Sequence, residues 1–328
     1  MQPGGAMPTL DPAGPPEIIV EGCIRIPLPD PFVPGVTSVF VIGPMNSPWL
    51  VDAGADTAEC EAALRGKLTT LGFTLESMPV ILSHTHLDHA GGLLRVEPFH
   101  VTAHARAIDE MREPHPRSSR GPAALRRMGL TDAETRALAP GGEPVHGRPF
   151  AELRIDRALT GDAGELPAPV GWQWLLAEGH APGHVMLFDR HTRTLLAGDQ
   201  FLLKWKTPLI VSDPDFDSLG AYLESIRAAR RLKPARICSS HMETMTNPGA
   251  WLEETEASIG RRLGRVADAV TAGARSAEQV LRTLYPKARG GQLRIVFLRE
   301  ILAMLRHLSS ERGLVRTERA GIEEFENA

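Results

Sequence analysis

The densest concentration of side chains able to do chemistry is the segment His84-Thr85-His86-Leu87-Asp88-His89. It directly follows the apolar run Met78-Pro79-Val80-Ile81-Leu82-Ser83. Alternation along an extended chain predicts that the first two histidines point the same way. The aspartate and the last histidine are expected in the loop that follows, where Gly91 and Gly92 permit a bend. This spacing predicts that one short segment supplies ligands to two adjacent metal ions.

Further potential ligands stand where other predicted strands meet loops, the usual place for a site on a rigid scaffold. His180 and His184 belong to the segment Gly179-His180-Ala181-Pro182-Gly183-His184, Asp199 ends one apolar run, and His241 ends another. Imidazoles and carboxylates suit Zn²⁺, with Fe or Mn as alternatives, and no thiolate cluster favours a softer ion. The expected cofactor is therefore a pair of divalent metal ions, with Zn²⁺ preferred.

Taken in this order, the motifs resemble the metallo-β-lactamase-fold hydrolase superfamily, from about residue 17 to about residue 250. The resemblance implies a dinuclear centre with one bridging ligand. Its implied ligands are, for the first metal, His84, His86 and His184; for the second, Asp88, His89 and His241; and, as the bridge, Asp199.

The same resemblance implies residues that support the ligands. Asp52, in Val51-Asp52-Ala53-Gly54, matches an early Asp-x-Gly and is expected to form no metal bond. His180 is ambiguous, and a supporting role is preferred because His184 fits the ligand position better. Asp88 and Asp199 are the expected catalytic residues. No Gly-x-Ser-x-Gly elbow or Cys–His pairing favours covalent catalysis.

Short apolar segments alternate with amphipathic helical patterns, which indicates an α/β protein. The resemblance supplies the architecture, an αββα sandwich. The expected division is a flexible N-terminus over 1–16, a catalytic domain over 17–250 and a small, mainly helical region over 251–328. A helical insertion over 103–148 is interpreted as a lid or pocket wall, with a dimer contact or surface decoration as the alternative.

The region 251–328 resembles the winged-helix-like appendage of a subgroup with β-lactamase-like endoribonucleases, polyketide thioesterases and glyoxalase II-type proteins. A winged helix suggests nucleic acid. However, its arginines alternate with glutamates at helical spacing, which is more typical of a solvated face, and aromatic residues for base stacking are not interleaved with them. Packing or dimerisation is therefore preferred. The arginines considered are Arg261, Arg262, Arg265, Arg294, Arg299, Arg306 and Arg316.

The expected function is a metallo-hydrolase of the thioesterase or esterase type, class EC 3.1, in which a metal-bridging hydroxide cleaves an ester, thioester or lactone of a small molecule. A metal-dependent phosphodiesterase or endoribonuclease is the alternative, and a β-lactamase or a non-hydrolytic di-iron module ranks lower. Lys204 and Trp205 are candidate substrate contacts because they follow Asp199 closely. The alternative is that Trp205 belongs to the core.

Composition agrees with an enzyme that has a large core. The chain has 328 residues, of which 42% are hydrophobic, and a formal net charge of −4, which does not favour nucleic acid or an anionic membrane as a partner. Three scattered cysteines indicate a reducing compartment. No apolar run approaches the roughly 18 to 20 residues needed to cross a bilayer. We expect a cytoplasmic protein acting on a small acyl substrate, and a homodimer stays open.

Overall fold

The computed structural model of the chain describes residues 10–32, 35–112, 122–138, 153–169, 171–203, 207–287, 291–311 and 313–328. The chain divides into two compact units, each built from three stretches of sequence. The first unit draws on 1–114, 147–207 and 229–249, and the second on 115–146, 208–228 and 250–328.

The described residues of the first unit form two β-sheets, and each sheet mixes parallel and antiparallel pairs. The first sheet has seven strands paired in chain order. They are β1 (Glu17–Val20), β2 (Cys23–Pro29), β3 (Val36–Ile42), β4 (Trp49–Val51), β5 (Pro79–Ile81), β6 (His100–His104) and β7 (Arg157–Leu159). The second sheet has six strands in the order β13-β12-β11-β10-β9-β8. They are β8 (Ala163–Glu165), β9 (Trp172–Leu176), β10 (Val185–Asp189), β11 (Thr194–Gly198), β12 (Arg236–Ser239) and β13 (Met245–Thr246).

Helices follow or connect these strands. Those of the first unit are α1 (Ala58–Thr70), α2 (Leu87–Ala90) and α3 (Ala105–Arg112), with 3₁₀ turns at Leu75–Ser77 and Gly91–Leu94. The remaining helices are α4 (Pro122–Arg127), α5 (Asp132–Leu138), α6 (Ser218–Leu232), α7 (Gly249–Thr271), α8 (Ala277–Leu284) and α9 (Gly291–Ser310).

The two sheets of the first unit share one hydrophobic core. Phe40 and Val51 of the first sheet lie in the same buried cluster as Trp172 and Leu187 of the second sheet. Because side chains alternate along a strand, the opposite face of the first sheet is free for a helix. A second buried cluster contains the other residues of those strands together with residues of α1. The helix α1, the first sheet and the second sheet are therefore stacked as successive layers in that order.

The helix α1 owes its position to a buried stripe and to a capped start. Cys60, Leu64 and Leu68 recur at helical spacing and are buried in that second cluster. At the N-terminus, the Thr57 hydroxyl accepts a hydrogen bond from the Cys60 main-chain N–H at 3.1 Å. Such a cap satisfies one of the amide groups that a helix start leaves without a partner.

Parallel pairing brings the ends of several strands to common edges. In the first sheet β4 pairs in parallel with β5, so Asp52 and Ser83, which follow these strands, lie side by side. In the second sheet β11 pairs in parallel with β12. Asp199 follows β11 and His241 follows the end of β12 after one residue. Polar residues distant in sequence therefore collect at the strand ends.

Gly91 and Gly92 do not form the bend that the sequence predicts; instead they allow close contact with a neighbouring segment of backbone. The acid and the last histidine of the histidine-rich segment lie in the helix α2, and the two glycines continue it as a 3₁₀ turn. A Cβ on Gly91 would stand 2.6 Å from the Asp56 main-chain nitrogen, and a Cβ on Gly92 would stand 2.1 Å from the Ala53 carbonyl oxygen. Close backbone approach, and not an unusual φ angle, requires glycine here.

The second unit combines the C-terminal region with two earlier stretches, which the sequence pattern predicts as parts of the catalytic domain. Three helices, α7, α8 and α9, are followed by an antiparallel hairpin of β14 (Leu314–Arg319) and β15 (Ile322–Asn327). Phe325 is fully buried, and its N–H donates to the Arg275 carbonyl at 2.8 Å. The winged-helix interpretation of this region stays a prediction.

A buried ion pair joins the hairpin to the helix α9. The Arg306 guanidinium, on α9, donates to the Glu323 carboxylate of β15 at 3.0 Å, and both side chains are less than 5% exposed. Arg306 also donates to the carbonyls of Val211 and Asp213 at 3.1 and 2.9 Å. These contacts connect the stretches 208–228 and 250–328 within the second unit.

The predicted insertion over 103–148 does not form one element. Its first residues complete β6 and form α3 in the first unit, and α4 and α5 belong to the second unit. Residues 113–121 and 139–148 lie outside the described residues, so the lid interpretation stays a prediction. Among the described residues, no helix has the length and apolar character needed to cross a membrane. All three cysteines are buried and unbridged.

Candidate metal centre

Two groups of potential ligands form at the strand ends of the first unit. One group consists of His84, His86, His180 and Asp199. The other consists of Asp88, His89, Asp199 and His241. Within each group the candidate ligand atoms all lie within 4.8 Å of one another. Asp199 belongs to both groups, so two ions held there would share one carboxylate.

The orientation of His84 is determined by a chain of hydrogen bonds that ends on Asp52. The Ser83 hydroxyl donates to Asp52 Oδ2 at 2.7 Å, and the Ser83 N–H donates to Oδ1 at 2.7 Å. A hydroxyl has one proton, so the Ser83 oxygen, 3.0 Å from His84 Nδ1, accepts from that nitrogen. His84 Nε2 therefore keeps a lone pair, and it is buried without a hydrogen-bond partner among the described residues.

His89 and His241 are oriented in the same way by other acceptors. His89 Nδ1 lies 2.9 Å from Asp52 Oδ2, and His241 Nδ1 lies 2.7 Å from the Val36 carbonyl oxygen. Both contacts require a proton on Nδ1. The Nε2 atoms of the two rings are each 3.2 Å from Asp88 Oδ2. Fixing the tautomer through the far nitrogen is the usual way in which proteins prepare histidines as metal ligands.

The structure brings His180, and not His184, into the first group. His180 Nε2 lies 2.9 Å from His86 Nδ1 and 3.6 Å from Asp199 Oδ2. His184 Nε2 instead accepts a hydrogen bond from the Asp199 main-chain N–H at 3.2 Å. That lone pair is therefore already used. The sequence predicts His184 as the ligand and His180 as its support, whereas the geometry groups His180 with the candidate ligand atoms and places His184 Nε2 against the Asp199 amide. Which of the two histidines binds a metal ion stays a prediction.

The shared carboxylate faces both groups with different oxygens. Asp199 Oδ2 is 3.1 Å from His241 Nε2, whereas Oδ1 is 3.5 Å from His89 Nε2. Gly198 has φ +52 and precedes it, and a Cβ there would meet His184 Nε2 at 2.6 Å. Glycine at this position is thus needed both for the backbone conformation and for the close approach of a ring.

Burial and nearby charges shift the pKa values of the histidines in opposite directions, upward for His89 and His241. Burial is the largest influence on His89 and lowers its pKa, but the charges of Asp88, Asp199 and Asp52 outweigh it and raise that pKa well above its ordinary value. Burial acts likewise on His241, whose pKa is also raised well above its ordinary value, by Asp199 and Asp88. Protons on these rings carry positive charge between carboxylates, which is the charge that metal ions would supply.

His84 and His184 behave in the opposite sense because no carboxylate outweighs their burial. Burial, followed by the charge of His89, lowers the pKa of His84 well below its ordinary value. Burial also lowers the pKa of His184 to about 3. Both rings are therefore neutral near pH 7, the state in which an imidazole nitrogen can accept a hydrogen bond or bind a metal ion.

The donor set fits divalent metal ions. His84 Nε2, His89 Nε2 and Asp199 Oδ1 are buried and make no hydrogen bond within the described part of the chain. Leaving a buried acceptor unsatisfied costs about 1–3 kcal/mol, and all three atoms belong to residues of the two groups. Imidazole nitrogens and carboxylate oxygens are the ligands that Zn²⁺, Fe and Mn use. An ion would satisfy these atoms together.

Sequence reasoning missed the residue that positions the His180 loop. Glu178 is buried, and its carboxylate accepts from the Gly183 N–H at 2.8 Å and pairs with Arg106. The sequence signal is an acid two residues before the histidine, in a segment that also contains Gly179 and Gly183, and its burial is visible only in the folded chain. The candidate substrate contacts Lys204 and Trp205 lie outside the described residues.

Comparisons with known proteins agree with the fold and with the donor set. The family model of the metallo-beta-lactamase superfamily matches residues 33–241, well over half of the chain. Similar curated proteins include two probable metallo-hydrolases of Bacillus subtilis, YqjP and YybB. YqjP is 26% identical over 81% of this chain and 86% of its own length. YybB is 27% identical over 50% of this chain and 64% of its own length.

Solved structures match nearly the whole chain. A metallo-beta-lactamase family protein from Thermus thermophilus superposes with a TM-score of 0.71 at 21% identity, covering 94% of this chain and 100% of that one. A beta-lactamase domain protein from Burkholderia ambifaria reaches 0.74 at 21% identity, covering 98% and 96%. The predicted αββα fold is confirmed by these matches. The chain belongs to the metallo-beta-lactamase superfamily.

Proposed function

We propose that this protein is a dinuclear metal-dependent hydrolase that cleaves an ester, thioester or lactone bond in a small molecule. The observation that carries the proposal is the pair of ligand groups joined by Asp199. In the proposed assignment, His84, His86 and His180 hold one ion, and Asp88, His89 and His241 hold the other. Two divalent ions this close would acidify a shared water and polarise the carbonyl under attack. Zn²⁺ is the preferred ion.

The protein's own residues prepare this reaction by holding the ligands in one orientation. Asp52 and the Val36 carbonyl keep protons on the far nitrogens of His89 and His241, so their Nε2 atoms stay available. His86 is the exposed member of its group, whereas His84 and His180 are buried. A substrate would therefore approach on the side of His86. The surrounding burial limits the number of waters that compete with the substrate.

Hydrolysis of a phosphodiester is the second candidate, since the same water could attack phosphorus. The arginines considered for contact with RNA argue against it, because each already has a partner within the second unit. Arg261 pairs with Glu254, Arg262 with Glu300, Arg294 with Glu278 and Glu134, Arg306 with Glu323, and Arg316 with Asp215. Arg299 donates to the Leu209 carbonyl, and Arg265 lies over the Tyr285 ring.

The decisive experiment measures zinc-loaded protein against acyl-thioesters, lactones, β-lactams and a short RNA side by side. We expect turnover of an acyl substrate and its loss by orders of magnitude in Asp199→Asn. Asp156→Asn serves as the matched control, because Asp156 accepts the Val101 N–H at 2.8 Å and belongs to neither ligand group. Acyl turnover that survives unchanged in Asp199→Asn would exclude the proposed centre.

The double variant Arg261→Gln, Arg265→Gln separates the two candidate functions. An acyl hydrolase should keep its turnover in this variant, since both arginines lie in the second unit. A nuclease that uses them should lose affinity for RNA, and each lost phosphate contact should flatten the dependence of log affinity on log salt by about 0.7 to 0.9. RNA cleavage that collapses in the variant, without acyl hydrolysis in the wild type, would replace our proposal by the nuclease.

A further inference from the structure

His184 stands at a junction of three chain segments that carry ligands of the proposed metal centre. Its carbonyl accepts from the Ala177 N–H at 2.7 Å, and the next residue, Val185, donates its N–H to the Ser83 carbonyl at 2.8 Å. Its ring reaches a third segment, where Nε2 lies 3.2 Å from the Asp199 main-chain nitrogen. The side chain is fully buried.

The chemistry of these contacts determines where the ring proton lies. A main-chain amide can only donate, so His184 Nε2 must accept and must be unprotonated. The single ring proton is therefore on Nδ1. That nitrogen is buried and has no hydrogen-bond partner among the described residues. An apolar residue such as leucine would avoid this buried unpaired N–H group, so the packing of His184 alone does not explain the imidazole.

Close packing keeps the ring in this contact. Its centroid lies 4.9 Å from that of His84, at an interplanar angle of 31°. Gly198 also packs closely against the ring, since a Cβ there would stand 2.6 Å from His184 Nε2. The ring therefore contacts both the backbone of the shared ligand and a ligand of the first group.

We infer that His184 is a positioning residue, which accepts the main-chain N–H of Asp199 and thereby fixes the carboxylate shared by both ligand groups. This inference rests on the proposed metal centre and gives the second histidine of the Gly179–His184 segment a role other than metal binding. Since residues behind the ligands commonly alter metal affinity by about 10- to 100-fold, loss of the acceptor should weaken binding of both ions.

The first test reads the tautomer directly in the wild-type protein, by long-range ¹H–¹⁵N correlation spectra of protein labelled in histidine. We expect His184 to carry its proton on Nδ1 before and after zinc is added. His104 is an internal control of opposite sign, because its Nδ1 accepts from the Arg106 N–H at 3.3 Å and its Nε2 donates to the Gly161 carbonyl at 3.0 Å. A proton on His184 Nε2, or a zinc-induced shift typical of a bound nitrogen, would overturn the inference.

The second test compares His184→Leu with His184→Gln by competition between the protein and a chromogenic zinc chelator. Leucine fills the space without an acceptor, so we expect zinc affinity to fall by about 10- to 100-fold. Glutamine places an amide oxygen near the former Nε2 and should restore affinity close to the wild-type value. Equal affinities in wild type and His184→Leu would overturn the inference. Both readouts need no substrate, so they decide it even if the proposed hydrolysis is not found.

Discussion

Asp52 accepts a hydrogen bond from His89, with 2.9 Å between Oδ2 and ring Nδ1. The same carboxylate accepts the N–H and the hydroxyl of Ser83. It therefore meets three donors with two oxygens, and it orients His89 directly and His84 through Ser83. Asp52 has φ +64, a conformation that aspartate and asparagine tolerate better than most residues.

The variant Asp52→Asn should weaken zinc binding while the backbone conformation is kept. Asparagine has one acceptor oxygen, so its NH₂ group would face a donor of Ser83 or His89. We expect the zinc affinity to fall by about 10- to 100-fold, measured by chelator competition. Asp156→Asn should leave that affinity unchanged. Wild-type affinity in Asp52→Asn would mean that the tautomer of His89 does not depend on this carboxylate.

The variant Asp88→Asn should remove one ion and leave the other. Asp88 belongs only to the group with His89 and His241, whereas Asp199 serves both groups. We expect the metal content to fall from about two ions per chain to about one, measured by elemental analysis after dialysis, and acyl turnover to drop with it. A variant that retains two ions would show that the carboxylate of Asp88 is not a ligand.

Glu110 should make stability fall with rising pH. Burial is the main cause that raises the pKa of Glu110 to about 7, against an ordinary value of 4.5, although Thr85 donates to its carboxylate. Between these two pH values the unfolded chain has released the proton and the folded chain retains it, so the free energy of unfolding decreases as pH rises. We expect Glu110→Gln to be more stable than wild type above pH 7 by about 1–3 kcal/mol.

Urea unfolding at pH 5 and at pH 8 measures this effect. The gain in Glu110→Gln should be clearly larger at pH 8 than at pH 5. Asp109→Asn is the matched control, because Asp109 lies on the same helix and is exposed. A gain independent of pH would refute the protonated state of the half-buried Glu110 in the folded protein.

The Arg306–Glu323 pair should be costly to break from one side. Arg306→Met leaves the Glu323 carboxylate buried without its partner, and we expect a loss of about 3–5 kcal/mol in the free energy of unfolding. The double variant Arg306→Met, Glu323→Leu should recover much of that loss. Recovery should be incomplete because Arg306 also donates to two carbonyls. Additive losses in a double-mutant cycle would show that the two residues do not interact.

The histidine-rich segment could be predicted from sequence because its ligands are contiguous and follow an apolar strand. The structure brings His84 and His86 into one group and Asp88 and His89 into the other, as the spacing indicates. Distant partners such as Asp199 and His241 could be selected because each follows a strand. Their common edge is a consequence of parallel pairing, which local patterns do not show.

His180 and His184 could not be distinguished by the same reasoning. They lie four positions apart in one loop, and both are histidines beside glycine. The difference between them is that the Asp199 N–H, fifteen residues further along the chain, points at His184. Likewise, the need for glycine at Gly91 and Gly92 arises from a backbone approach to Ala53 and Asp56, which only the folded chain reveals.

The discontinuous composition of the second unit has a consequence for how this protein can be divided. A chain cut at residue 249 would retain 115–146 and 208–228 but would lose the partners of both stretches. Glu134 would lose Arg294, and the carbonyls of Val211 and Asp213 would lose Arg306. The C-terminal region is thus not a module that recombination or truncation could exchange as one continuous piece. A replacement for the second unit would have to include residues 115–146 and 208–228 as well as the C-terminal region.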